Sequence, residues 1–166
     1  MEANSSCQSL GAKLVEIDTR EENEAIVAEI ANKGYNEKKM FFWIGLTDQN
    51  VEGTWELASS GTNAVYLNWD KSQIGDPEPN DHAGKEDCAL LRTEGCKEFE
   101  HSAWADFDCS KKVMRITCHT DQHNYFDKTF TMNPLCEFQA GSGKKKAFFS
   151  FYRFLILHFS ETLHSF

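Results

Sequence analysis

The chain has 166 residues, and 26 acidic against 17 basic side chains leave a formal net charge of −9. That length suits one domain able to bury a real core, and the acidic balance disfavours nucleic acid and anionic lipid as partners. The charge is concentrated, with ten acids against three bases between Asp76 and Asp108, a segment that would attract cations.

Six cysteines without a Cys-x-x-Cys pair point to disulfides in an oxidising compartment rather than to a zinc site. An exported protein opens on a basic and then apolar leader, whereas Met1 is followed by Glu2-Ala3-Asn4-Ser5-Ser6-Cys7. The expectation is an export signal already removed or a sequence that is a fragment.

In chain order, residues 2 to 10 are expected to form a short helix holding Cys7, and Leu14-Val15-Glu16-Ile17 alternates like a strand end. Thr19 followed three residues later by Glu22 makes a capping box. It opens an amphipathic helix that turns Ile26, Val27 and Ile30 inward and that Gly34 would close. From Phe41 to Leu57 the texture is β, with Phe41-Phe42-Trp43-Ile44-Gly45-Leu46 and then Gly53-Thr54-Trp55-Glu56-Leu57. Residues 58 to 85 have almost no periodicity, and a loop region of that length in a domain is functional or disordered. Cys88-Ala89-Leu90-Leu91, Ala103-Trp104 and Leu135-Cys136-Glu137-Phe138 read as further strands. Residues 110 to 135 are polar and irregular, longer than a hairpin link needs. The apolar patch from Ala147 to Phe159 contains Arg153 and is shorter than the ~20 residues of a membrane span.

Gly75-Asp76-Pro77-Glu78-Pro79-Asn80-Asp81 then carries the chemistry. Glu78, Asn80, Asp81, Glu86 and Asp87 offer hard oxygen ligands within ten residues, as calcium requires. An EF-hand is rejected, because its sixth loop position, counted from Asp76, is Asp81 instead of Gly. Pro77 and Pro79 stiffen the loop, and a cis bond before either would turn Glu78 and Asn80 to one side.

Taken together, five landmarks in order resemble those of a C-type lectin domain: Trp43-Ile44-Gly45-Leu46, Glu78-Pro79-Asn80, Glu86-Asp87-Cys88, Trp104-Ala105-Asp106 leading to Cys109, and Leu135-Cys136-Glu137-Phe138. The resemblance implies an α+β fold with two helices, two small antiparallel sheets and a long calcium-binding loop region, spanning residues 1–139. An insert would occupy about 110–133, and 140–166 would be a basic then apolar tail outside the domain. It implies bridges Cys7–Cys136 and Cys88–Cys109. Cys96 and Cys118 remain, either as a third bridge or with Cys118 unpaired.

Carried over by the resemblance, Glu78, Asn80, Glu86 and Asp106 would hold the sugar-site calcium, and adjacent sugar hydroxyls would complete its ligand shell. The Glu-Pro-Asn order is similar to that of members preferring mannose, fucose or N-acetylglucosamine. A supporting calcium would use Asp48, Glu52, Asp81 and Asp87, with Glu86 shared. The implied partners are glycans on glycoproteins or microbial surfaces, in an extracellular setting of the innate-immunity kind, with avidity gained by oligomers.

Three departures bear on this reading. Ala105 stands where the family has a ligating Asn; about five protein ligands remain, and two sugar hydroxyls would make about seven, within calcium's range. Weakened binding is therefore expected. The family's opening strand is missing, which would leave a sheet edge unpaired. That gap, the insert and the tail together read either as an incomplete reading frame or as a genuine loop.

Catalysis is disfavoured. A hydrolytic carboxylate pair such as Glu78 with Glu86, or Asp106 with Asp108, lacks a visible apolar wall to keep one acid protonated, and no nucleophile-elbow or phosphate-loop pattern occurs. The rival class is a lectin-like protein-interaction module in which calcium is structural or absent. Trp43 and Trp55 are expected in the core rather than as sugar platforms.

Overall fold

The computed structural model describes residues 2–32, 41–72, 76–93, 102–119, 125–138 and 147–150. Expectations resting on Gly34, Gly75 and Cys96 lie outside them.

Two helices come first: α1, Glu2–Gln8, and α2, Arg20–Asn32. The predicted capping box forms, since Thr19 Oγ1 accepts from the Glu22 amide at 3.1 Å. Glu22 Oε2 reaches back to the amide of Asp18 at 3.0 Å, which satisfies a second donor of the helix entry. Short β1, Lys13–Leu14, lies between the helices. The strands that follow are β2, Phe41–Thr47; β3, Glu56–Leu57; β4, Cys88–Arg92; β5, Trp104–Phe107; β6, Val113–His119; β7, Tyr125–Phe138; and β8, Ala147–Ser150.

Hydrogen bonding orders the sheet β1-β7-β2-β4-β5, with β3 on β2 and both β6 and β8 on β7. One pairing departs from the expected antiparallel sheets: β2 runs parallel to β7, Phe41 opposite Met132 and Trp43 opposite Pro134. The stretch 110–135, read as irregular, is mostly a regular antiparallel hairpin, β6 against β7 from Val113↔Thr131 to His119↔Tyr125. Its polar residues hid the strands, because a two-stranded ribbon need not carry the apolar alternation of a half-buried sheet. Ala147–Ser150 pairs along Leu135–Phe138, so four residues of the expected tail join the sheet.

The unbroken apolar run of β2 follows from its position. Phe42, Ile44 and Leu46 enter one core with α2 residues Ile26 and Ile30, together with Trp55 and Trp104. Phe41 and Trp43 enter the other with α1 residues Ala3 and Cys7. A strand covered on both faces needs apolar side chains at every position, and β4 obeys the same rule, with Ala89 and Leu91 on one side and Leu90 on the other. Both tryptophans expected in the core are buried there.

Gly45 lies where β2 shifts register against β4. Its amide donates to Val15 O at 2.6 Å, and an added Cβ would stand 2.8 Å from Glu16 Cγ and 3.0 Å from Leu14 O. The close crossing of these chains admits no side chain there.

Both disulfides implied by the resemblance are present. Cys7–Cys136 joins α1 to β7 with Cα atoms 5.5 Å apart, and Cys88–Cys109 joins β4 to the end of β5 at 5.2 Å. Their sequence separations are 129 and 21.

Candidate functional site

The acidic loop is held to β5 by Asp106. Asp106, 2% exposed, accepts the amide of Asn80 at 3.0 Å on Oδ1 and that of Asp81 at 2.7 Å on Oδ2. One carboxylate thus clamps the backbone that follows the prolines. The Glu78–Pro79 bond is cis, and Glu78 and Asn80 face one another, with Asn80 Nδ2 donating to Glu78 Oε2 at 2.8 Å. The structure therefore brings Glu78, Asn80 and Asp106 together.

Glu86 belongs to the adjoining turn. Its amide donates to Asp81 Oδ1 at 3.1 Å, and its Oε2 accepts from the amide of His82 at 3.0 Å. Asp81, Ala83 and Gly84 all have positive φ, and Gly84 N donates to Asp81 O at 2.9 Å. This tight turn holds Glu86 near the loop base. Burial raises its carboxyl above the usual range, against the His82 amide bond, and Asp106 adds to the rise.

Three of the five residues assigned to the supporting site converge. Carboxylate oxygens of Asp48, Glu52 and Asp87 lie within 4.8 Å of one another. Asp48 Oδ2 accepts from the Gly53 amide at 2.9 Å, which fixes its rotamer, and the Asp87 carbonyl accepts from Thr47 Oγ1 at 2.6 Å. Asp81 and Glu86 are engaged with each other in the neighbouring turn instead. Burial, followed by the charges of Glu52 and Asp87, pushes the Asp48 carboxyl up to about 6.

Two polar atoms test whether a hard cation fits. Asp48 Oδ1 and Asn80 Oδ1 are buried acceptors with no hydrogen-bond partner among the described residues. A buried acceptor without a donor is costly, and a cation would satisfy both it and the surrounding carboxylates. The residues present therefore suit oxygen coordination of calcium.

Two residues escaped the sequence reading. Arg92, at the end of β4, donates from Nη1 to Asp70 Oδ2 and from Nη2 to Glu78 Oε1, both at 2.5 Å. Asp70 is fully buried, and its carbonyl accepts the Glu78 amide at 2.9 Å. The available signal was a lone arginine closing the apolar run Cys88-Ala89-Leu90-Leu91, since a buried guanidinium requires acids. Asp70 itself, in an aperiodic loop, carried no signal. Ala105 is 1% exposed, opposite Leu90, and brings no ligand oxygen.

With two helices flanking a mixed sheet, two long-range bridges and an acidic loop gripped by β5, the architecture is that of a small disulfide-bonded α+β domain. Residues 1–120 match the Lectin C-type domain family, and the chain belongs to that family. It is similar to mouse C-type lectin domain family 4 member E, 35% identical over 105 residues, 63% of this chain and 42% of that protein. It is also similar to mouse C-type mannose receptor 2, 33% identical over 109 residues, 66% of this chain and 6% of the receptor. The chain thus spans less than half the length of these relatives. Among solved structures, the EPNH mutant of CEL-I matches with a TM-score of 0.50 and 25% identity, over 66% of this chain and 74% of that one.

Proposed function

We propose that this domain binds carbohydrate in a calcium-dependent manner, through a site made by Glu78, Asn80, Glu86 and Asp106, with Asp48, Glu52 and Asp87 holding a supporting calcium. The observation that carries the reading is the buried, partnerless Oδ1 of Asn80 beside the Glu78 carboxylate. Calcium, when bound, supplies a Lewis-acid centre that two adjacent sugar hydroxyls can ligate. The protein's own part is orientation. Asp106 fixes the Asn80 and Asp81 backbone, and Asn80 Nδ2 and the carboxylates would donate to and accept from the same hydroxyls. Hydrogen bonds to charged groups contribute ~1.5 to 3 kcal/mol each.

Glu78-Pro79-Asn80 favours mannose, fucose and N-acetylglucosamine, in keeping with the mannose receptor among its relatives. The partners are glycans of glycoproteins or microbial surfaces in an extracellular setting, and multivalent presentation would raise the avidity of a shallow site. Two disulfides support an oxidising compartment. No helix among the described residues is long and apolar enough to cross a membrane. The domain is proposed to span 1–139, with Ala147–Ser150 of the following segment adding a strand to its sheet.

A protein-interaction module with structural calcium is the second reading, favoured by the buried methyl of Ala105. Retention on mannose resin with calcium, lost with chelator, is the expected result, strengthened in Ala105→Asn. Absence of retention in both proteins, with calcium still raising the melting temperature, would decide for the second reading.

A further inference from the structure

The Glu78 carboxylate already has a cation. Arg92 is 5% exposed and its guanidinium forks between Asp70, at 0%, and Glu78, at 4%. A planar guanidinium suits two carboxylates in fixed geometry, and two buried acids without a counter-charge would be strongly destabilising. The second oxygen of Glu78 is taken by Asn80 Nδ2, and Lys71 Nζ donates to the Glu78 carbonyl. The placement of Glu78, and through it of Asn80, is thus set by protein donors alone.

We propose that Arg92 is a resident cation of the acidic loop, one that occupies the Glu78 carboxylate before metal arrives and so keeps the calcium affinity of the site low. The inference rests on the calcium reading above. Two physical consequences follow from one guanidinium. It offsets part of the cost of burying Asp70 and Glu78 in the metal-free protein, where burial and the neighbouring Asp106 otherwise disfavour the charged form of Glu78. It also places a positive charge on a carboxylate that calcium must share, and like charges around one ligand repel most strongly where water is excluded. A merely structural arginine would predict that its loss leaves calcium binding unchanged or weaker. A resident cation predicts tighter binding.

Calcium titration by calorimetry, with the site identified by its loss in Asn80→Ala, and thermal melting in chelator distinguish these roles. Arg92→Gln is expected to melt lower without metal, to bind calcium at least tenfold more tightly and to show a larger calcium-induced rise in melting temperature. Arg92→Lys, which keeps the charge, should stay within threefold of the parent affinity. Equal or weaker binding by Arg92→Gln, with parent binding intact, overturns the proposal and leaves the calcium reading standing. No calcium binding by either protein overturns the calcium reading, and the proposal with it. If Arg92→Gln does not fold, the double variant Asp70→Asn with Arg92→Gln removes a buried acid with its base. The same tightening is expected there, and unchanged affinity overturns the proposal.

Discussion

At the proposed supporting site one buried carboxylate, Asp48, would act oppositely with and without metal. Its folded-state pKa, about 6, lies above the ordinary 3.8, chiefly because burial disfavours the charged form. The folded metal-free protein therefore holds this proton more tightly than the unfolded chain does. The stabilisation is fully present below about pH 4 and is lost as pH rises through about 6. Calcium needs the carboxylate ionised, so affinity at the supporting site should fall as pH drops below about 6. Melting curves in chelator should show this contribution favouring acid, while calcium titrations over the same range should weaken towards acid. Asp48→Asn should remove the part of both trends centred near pH 6; unchanged trends in that variant would assign the titration elsewhere. Asp48 was legible in the sequence as an acid spaced four residues from Glu52. Its perturbation was not, because desolvation depends on what folds over the side chain.

At the scale of elements, the tightest constraint is the crossing of β1 and β2 at Gly45. The gap there is set by Glu16 Cγ at 2.8 Å and the carbonyls of Leu14 and Val15 at 3.0 and 3.1 Å. Glu16 cannot easily give way, since Oε1 accepts the Ser59 amide at 2.8 Å and Lys13 pairs with its other oxygen. Gly45→Ala is expected to lower stability by roughly 1–3 kcal/mol through overpacking. Gly53→Ala meets no atom within 4 Å and should lose only about 1 kcal/mol, from its positive φ. Urea titrations of both variants check the order, and a smaller loss at Gly45 would contradict the crossing. The sequence displayed Gly45 inside a strand pattern, and the family landmark contained it. Only the folded crossing shows why a methyl is excluded.

For the whole molecule, the bridges tie sequence-distant parts of one sheet. In the chain-entropy picture the 129-residue separation of Cys7–Cys136 corresponds to about 5 kcal/mol, and the 21-residue separation of Cys88–Cys109 to about 3 kcal/mol. Replacing Cys7 and Cys136 by serine should therefore destabilise the protein more than replacing Cys88 and Cys109. The second replacement should have the larger effect on calcium binding, because Cys109 follows Asp106 by three residues and helps fix the end of β5. Denaturant unfolding and calcium titration of the two double variants measure both orders; a reversed calcium effect would mean that Asp106 is held by its loop bonds alone.

The sequence by itself determined what local patterns can encode. The capping box opened α2, the aromatic and β-branched run marked β2 as a strand, and five landmarks in order carried the family resemblance, which in turn implied the two disulfides. Tertiary structure alone decided the partnerships. The hairpin of β6 and β7 carried too little apolar alternation to be read, and its strands exist through cross-strand pairing. Arg92, Asp70 and Glu78 are separated by loop and strand in the chain, and only folding puts one guanidinium between two buried acids. Composition can supply the charges, but which charge answers which is a matter of distance and exclusion of water, and both are properties of the folded chain.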